Sequence, residues 1–412
     1  MYFFGSIVLM LDSLKLIFER LLANVKIDHY RFLYHNFDLS NRLIGLVGPR
    51  GVGKTTLLLQ LIKNHLINKK RVFYFSADHI YFEKISLYKF IEEMYLTEGT
   101  EIFFIDEIHK YPRWDRELKN LYDGFPKLRL IFSGSSSLDL VKGSYDLSRR
   151  AKMYYLPGMS FREYLNFSLE ENLKSFSFNE FLENYKKLDS IIAKVPKIKG
   201  HFQAYCSHGF YPFLFEDPLS YHERIWRVIE KTIYEDVSGF YSLKTENLHI
   251  FKKILFFIAG IKPGGVSIHN LAKNLSVDDK TILNYLNILQ ESGLVTMIYP
   301  AGVGNQSLRR PEKFFLSNTN LYFSLESQLS SHDSELGTIR ELFFLQSLTG
   351  AGIDVSHSKS GDFAVGKTIF EIGGKNKTQK QIKGLKQAFI VKDDIFISRG
   401  REIPLLFFGF LY

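Results

Sequence analysis

Only one cysteine, Cys206, occurs in the 412 residues. Neither an intramolecular disulfide framework nor a cysteine zinc site can be built from it, and a reducing cytosol is the compartment that suits such a chain. Long apolar runs are absent too. A bilayer span takes about 20 consecutive apolar residues, so the chain reads as soluble, cytoplasmic and without a membrane partner. The apolar segment Tyr2–Leu11 has no basic stretch before it and no small-residue cleavage site, and Asp12 stops it; it is not a secretory signal. From Met10 onward Leu11, Leu14, Ile17, Phe18, Leu21 and Leu22 recur at helical spacing. That pattern points to Met10 as an alternative or true start, with Met1–Leu9 a disordered or accessory extension.

Turning to what is present, hydrophobic residues make up 45% and charged residues 24%, an ordinary globular balance rather than a disordered one. The length exceeds one compact core and implies two or three domains. A net charge of +9 favours contact with nucleic acid or another anionic surface, although many cytosolic proteins share it, and it says nothing about fold.

The apolar run Leu43–Val47 reads as a buried strand. It leads into Gly48, Pro49, Arg50, Gly51, Val52, Gly53, Lys54, Thr55 and Thr56, then into a helical run over Leu57–Leu66. Strand, G-x-x-x-x-G-K-T and helix in that order define a phosphate-binding loop. Glycines let backbone N–H groups turn inward around phosphates, and the helix N-terminus adds a favourable dipole. Lys54 would reach the β and γ phosphates, and the Thr55 hydroxyl would ligate Mg²⁺. A glycine-rich loop with a chance lysine is the plain alternative, and the two correct flanks argue against it.

A second strand over residues 101–106 ends in Asp106 and Glu107. An acid at a strand end holds hydrated magnesium, and its neighbour orients or deprotonates the attacking water. Successive strand residues point to opposite faces, which suits that division of labour. A third run, residues 128–133, ends in Ser133 within Ser-Gly-Ser-Ser-Ser, where a residue sensing the γ-phosphate would stand; a serine-rich turn reads equally well. Residues 71–76 and 152–156 supply two more strands, and five strands alternating with helices imply an α/β sandwich on a parallel sheet. Hydrolysis also wants a cation for charge developing on the γ-phosphate. Arg149 and Arg150 are the preferred pair over Arg113 and Arg116, all four being readable as surface arginines. The motifs do not by themselves separate ATP from GTP, although no guanine-reading N-K-x-D run accompanies the loop; ATP with Mg²⁺ is the expected ligand set.

The runs GPRGVGKTTLLLQ, FFIDEIHKYPRWDRELKNLYD, SGSSS, LSRRAKMYYLPGMSFREYL and HGFYP resemble a bacterial and archaeal family of AAA+-like ATPases carrying a C-terminal domain of unknown function. That resemblance covers most of the chain. It implies sheet order 5-1-4-3-2 and an arginine near Arg149–Arg150 facing the nucleotide, and it implies no particular substrate.

Residues 1–158 are expected to form the P-loop domain with an N-terminal helix, and 159–245 a helical connector or lid. Residues 246–318 carry three helical runs, Phe251–Ala259, Ile268–Asn274 and Lys280–Glu291, then a hairpin of Leu294–Tyr299 with Lys313–Leu316. This is a winged helix-turn-helix pattern. Reading DNA would set Lys280, Thr281, Asn284 and Asn287 in the groove, with Lys273, Arg309 and Arg310 as supporting cations. Asp278 and Asp279 oppose that reading. Residues 319–412 order Glu341 on a helix, Asp362 before a short strand, Glu371 on a strand, Lys375, a helix and a final strand 388–391, in the manner of a degenerate PD-(D/E)xK nuclease core. There two acids bind Mg²⁺ and a lysine activates water. Gly373 stands where the lysine belongs, and a bulge at Gly373–Gly374 is the device that would bring Lys375 back. Lys375, Lys377, Lys380, Lys383 and Lys386 form a basic run that reads as a solvated face before a phosphate site. Three functions follow: an ATPase acting as a switch or regulator on a DNA or protein partner, a nucleotide-regulated DNA-binding protein, and an ATP-dependent nuclease.

Overall fold

A computed structural model describes residues 2–66, 71–135, 147, 149–241, 243, 245–262, 264, 267–302, 310–329, 335–378 and 380–412, with backbone alone for 2–10, 240, 245 and 246. Ser136, Ser137, Lys244 and Arg309 lie outside the described residues. The chain separates into two units, Met1–Pro157 and Gly158–Tyr412.

In the first unit five parallel strands, β1 (Leu43–Gly48), β2 (Val72–Ser76), β3 (Ile102–Asp106), β4 (Arg129–Ser135) and β5 (Lys152–Tyr155), lie in the order β2-β3-β4-β1-β5. This is a P-loop NTPase α/β fold, in the 5-1-4-3-2 order that the resemblance implies. Strand alternation divides the sheet. Leu43, Phe73, Phe75, Phe103, Ile105, Leu130 and Phe132 pack into one cluster with Phe90 and Ile91 of α3 (Leu87–Thr97) and Leu118 and Leu121 of α4 (Trp114–Gly124). Residues of the other parity, Tyr74, Asp106 and Ser133 among them, are thereby brought to the opposite face. After β1 comes α2 (Lys54–Leu61), which continues through one wider π turn, Ile62–Leu66.

The first helix, α1, runs Tyr2–Asn24. Helical backbone therefore begins ahead of Met10, and the segment expected to be disordered or accessory is a continuation of that helix. Leu14 is buried and Leu11 and Phe18 pack beside it on the sheet cluster, which is the periodicity the sequence displays.

The second unit opens with short helices: α5 (Phe161–Leu169), α6 (Phe178–Asn184), α7 (Lys187–Ile192), α8 (Ile198–His208), α9 (Tyr221–Lys231) and α10 (Ser238–Tyr241). Ser160 starts α5 with a capping box that includes Glu163, two orphan N–H groups being satisfied reciprocally. Three helices follow, α11 (Thr245–Ala259), α12 (Ile268–Leu275) and α13 (Asp279–Glu291), then an antiparallel pair, β6 (Val295–Ile298) with β7 (Lys313–Leu316). Beyond α14 (Thr319–Glu326) and α15 (Leu336–Gly350) lies a sheet of β8 (Ser356–His357), β9 (Phe363–Val365), β10 (Thr368–Gly373), β11 (Ala388–Lys392) and β12 (Glu402–Pro404), ordered β12-β11-β10-β9-β8. Strands β10, β11 and β12 are parallel, while β9 is antiparallel to both neighbours. Phe344 of α15 anchors this sheet, its ring 5.2 Å from Phe370 and 4.7 Å from Phe408.

Two local expectations are corrected here. Among the described residues between β10 and β11 there is no helix, only turns; the lysine-rich run has no acids to pair along a helical face, and Gly384 turns with φ +87°. Nor does β11 close the sheet, because the three-residue β12 follows it.

Candidate nucleotide site

The loop between β1 and α2 owes its course to its glycines. Gly51 and Gly53 take φ of +80° and +92°, a region open to glycine at no steric cost. A Cβ on Gly48 would meet the Leu156 carbonyl oxygen at 2.2 Å, so β1 ends where no side chain fits. From behind, buried Arg31 donates to the Val52 carbonyl and, at 2.7 Å, to that of Pro157. Lys54, only 6% exposed, turns its ammonium inward to the carbonyls of Gly48 at 2.8 Å and Pro49 at 2.9 Å.

Asp106 closes β3 and is 2% exposed. Its Oδ2 accepts from the Thr55 hydroxyl at 2.5 Å and from the Tyr74 hydroxyl at 2.9 Å. Oδ1 accepts from the Ser133 hydroxyl and from the Glu107 N–H at 3.1 Å. A buried carboxylate is tolerable only when its lone pairs are engaged in this way. Burial first, then the Asp106 charge, pushes the Tyr74 phenol far above its ordinary pKa, so it stays a donor. The donor set suits a divalent cation: a hydroxyl and a carboxylate already within contact of each other, both hard oxygens.

Glu107 adopts φ +50°, an uncommon conformation for a residue with a side chain. Leaving the strand this way, it turns its Oε2 to 3.4 Å from Nε2 of His109. That Oε2 is buried and makes no hydrogen bond. His109 in turn meets Ser135, Nδ1 at 3.3 Å from the backbone N–H and Nε2 at 3.1 Å from the hydroxyl.

Lys54, Thr55, Asp106, Glu107 and Ser133 therefore come together. The arginines are arranged otherwise. Arg150 makes a two-pronged contact with Asp123 of α4, at 3.1 Å for both nitrogens, while Arg149, Arg113 and Arg116 are exposed. Tyr74, Arg31 and His109 escaped the sequence reading. Strand parity relative to Asp106 was the available signal for Tyr74; nothing in the spacing marks Arg31.

In the second unit Glu341, Asp362 and Glu371 also approach one another. The Lys313 ammonium lies 3.0 Å from Glu341 and 3.9 Å from Asp362. Glu371 is wholly buried and ion-paired with Lys377. The lysine on Glu371 is thus Lys377 and not Lys375, which is exposed. No bulge returns Lys375; instead the Lys377 stem lies over Gly373, where a Cβ would meet it at 2.7 Å. Burial is the main cause raising the Glu341 and Glu371 carboxyls above their ordinary range. Among the described residues no group of three or more His, Cys, Asp or Glu is disposed to hold a metal ion, and no helix is long and apolar enough to cross a membrane.

Fold and site together place residues 1–157 in the P-loop NTPase class of α/β domains. Residues 40–165 match the family described as AAA domain, and residues 199–332 match a domain of unknown function, DUF8612. An uncharacterized protein of Methanocaldococcus jannaschii, MJ1637, is 31% identical over 392 residues, covering 88% of this chain and 81% of the relative. The chain belongs to the same family as MJ1637. Among solved structures, AMPPCP-bound DnaA from Aquifex aeolicus is 17% identical with a TM-score of 0.27, over 63% of this chain and 84% of that one. DnaA bound to AMPPCP and single-stranded DNA gives 0.29 at 17% identity, over 63% and 85%. PCH-2 of C. elegans gives 0.23 at 23%, over 37% and 45%. Scores this low do not bear on function.

Proposed function

We propose that this protein binds ATP with Mg²⁺ and hydrolyses it to ADP and phosphate, the second unit serving as a regulatory or partner-binding part. The observation that carries the reading is the meeting of Thr55 and Asp106 at 2.5 Å beside a P-loop whose lysine lies in the loop. Backbone N–H groups from Arg50 to Thr56 would wrap the phosphates, and Lys54 would exchange its two carbonyl partners for phosphate oxygens. Thr55 and Asp106 would hold magnesium, which when bound neutralises charge on the β and γ phosphates. Glu107 would orient the attacking water and accept its proton. Ser133, on the same sheet face as Asp106, keeps that carboxylate aimed. Arg149 or Arg150 would meet the γ-phosphate, Arg150 only after leaving Asp123.

The test uses a pair of variants. Lys54→Ala should abolish binding of a fluorescent ATP analogue, and Glu107→Gln should retain it while losing phosphate release. Undiminished turnover in both variants discards the assignment.

The two other functions fare less well on their residues. For a nuclease, Glu341 and Glu371 are engaged by Lys313 and Lys377, and β10 carries no lysine two residues beyond Glu371, where the water-activating one belongs. For DNA reading, Lys280 and Asn284 are exposed, but Asp278 caps α13 by accepting from the Thr281 N–H at 2.9 Å and from its hydroxyl at 2.6 Å. That hydroxyl is spent inside the protein, and two acids border the helix start. A protein partner is accordingly the better match for this surface, and a salt-dependent gel shift would reverse that preference.

A further inference from the structure

We infer that His109 is a positioning residue for hydrolysis, fixed by Ser135 and in turn fixing where the Glu107 carboxylate points. The inference rests on the ATPase reading above. Side chains two apart on a strand share a face, so Ser133 and Ser135 of β4 turn the same way. Ser133 meets Asp106, and Ser135 meets His109. The end of β4 thus touches both the last residue of β3 and a residue of the turn after it, each through a hydroxyl.

The imidazole's protonation follows from its contacts. Nδ1 faces the Ser135 N–H at 3.3 Å, so in the neutral ring it must accept, and the proton belongs on Nε2. That Nε2–H lies between the Ser135 hydroxyl at 3.1 Å and Glu107 Oε2 at 3.4 Å. Its side chain is 4% exposed, which keeps bulk water from competing. Glu107 Oε2, buried and lacking a hydrogen bond, stands within a small rotation of that donor. An unsatisfied buried oxygen is costly, and a turn of the ring that brings Nε2–H to Glu107 satisfies it while the Ser135 hydroxyl gives up that contact. The φ of +50° at Glu107 sets its carboxylate on the imidazole's side, a backbone strain of the sort held at working positions.

The relay also adjoins the phosphate loop. Ser135 pairs with Gly48 in the β1–β4 register, and Gly48 is the loop's first residue. Movement of the loop on engaging a γ-phosphate is passed across that ladder to Ser135, hence to His109 and Glu107. His109 accepts no proton from substrate in this arrangement; it aims the group that does.

The experiment measures steady-state ATP hydrolysis and fluorescent-nucleotide affinity for the full chain and its variants. His109→Leu, of similar bulk, should lower kcat by about 10–100-fold with KM and nucleotide affinity within about twofold. His109→Gln, whose amide N–H replaces Nε2–H, should recover most of the loss, and Ser135→Ala should cost less than His109→Leu. Wild-type kcat in His109→Leu, beside an inactive Glu107→Gln, overturns the role of His109 and leaves the ATPase reading standing. A fall in kcat accompanied by weakened binding or a lowered melting temperature, with no rescue by Gln, makes His109 structural and overturns it equally. A wild-type chain that binds ATP without turning it over removes both readings.

Discussion

Tyr74 and the residues around it show how much of the site is carried by single hydroxyls. Were Thr55 drawn to an ion, the Tyr74 hydroxyl, 2.9 Å from Oδ2 of Asp106, would still hold that carboxylate, and partners of metal ligands hold their orientation and basicity. We expect Tyr74→Phe to raise the Mg²⁺ concentration for half-maximal turnover about tenfold and to lower stability by about 1 kcal/mol. An unchanged Mg²⁺ titration would strip Tyr74 of that role. The phosphate loop from Gly48 to Thr56 was readable because loop chemistry is local: glycine, lysine and threonine act at fixed offsets. Tyr74 acts from a neighbouring strand, 32 positions away in the chain, and its meaning depends on sheet order, which the residues alone left to resemblance.

At the scale of elements, β7, α15, β9 and β10 bring Lys313, Glu341, Asp362 and Glu371 to one place, and the turn after β10 adds Lys377. Removing one partner of a buried pair leaves an uncompensated charge. Because Lys377 is about one-third exposed, we expect Lys377→Ala to cost about 2 kcal/mol at neutral pH, toward the low end for such a pair. The pH dependence has a definite sign. A buried carboxyl titrating above its ordinary 4.5 binds more protons folded than unfolded, so stability falls as pH rises above that value. The deficit of Lys377→Ala relative to wild type should therefore shrink as pH is lowered toward 4.5, as thermal melts at several pH values would record. A deficit that grows on acidification would place the ionised Glu371 in no need of Lys377. The strands and long helices here were legible from periodicity, since half-buried elements must alternate or repeat. The course of residues 374–378 and 380–386 was not: no acid in that run marks which lysine would pair, Gly384 sits at positive φ, and only the course of the backbone decides that the Lys377 ammonium reaches Glu371.

Across the whole molecule, the two units carry separate chemistry, and ligand should announce which one it occupies. We expect ATP with Mg²⁺ to slow amide hydrogen exchange at residues 48–56, 106–109 and 133–135, since binding stabilises what it touches. Protection confined to the acid cluster of the second unit would move the nucleotide there. One further consequence belongs to the lysine of the phosphate loop. Its ammonium is already satisfied by Gly48 and Pro49, so an incoming phosphate wins Lys54 by exchange and not from nothing. Phosphate affinity would then be a difference between two sets of oxygens around one ammonium.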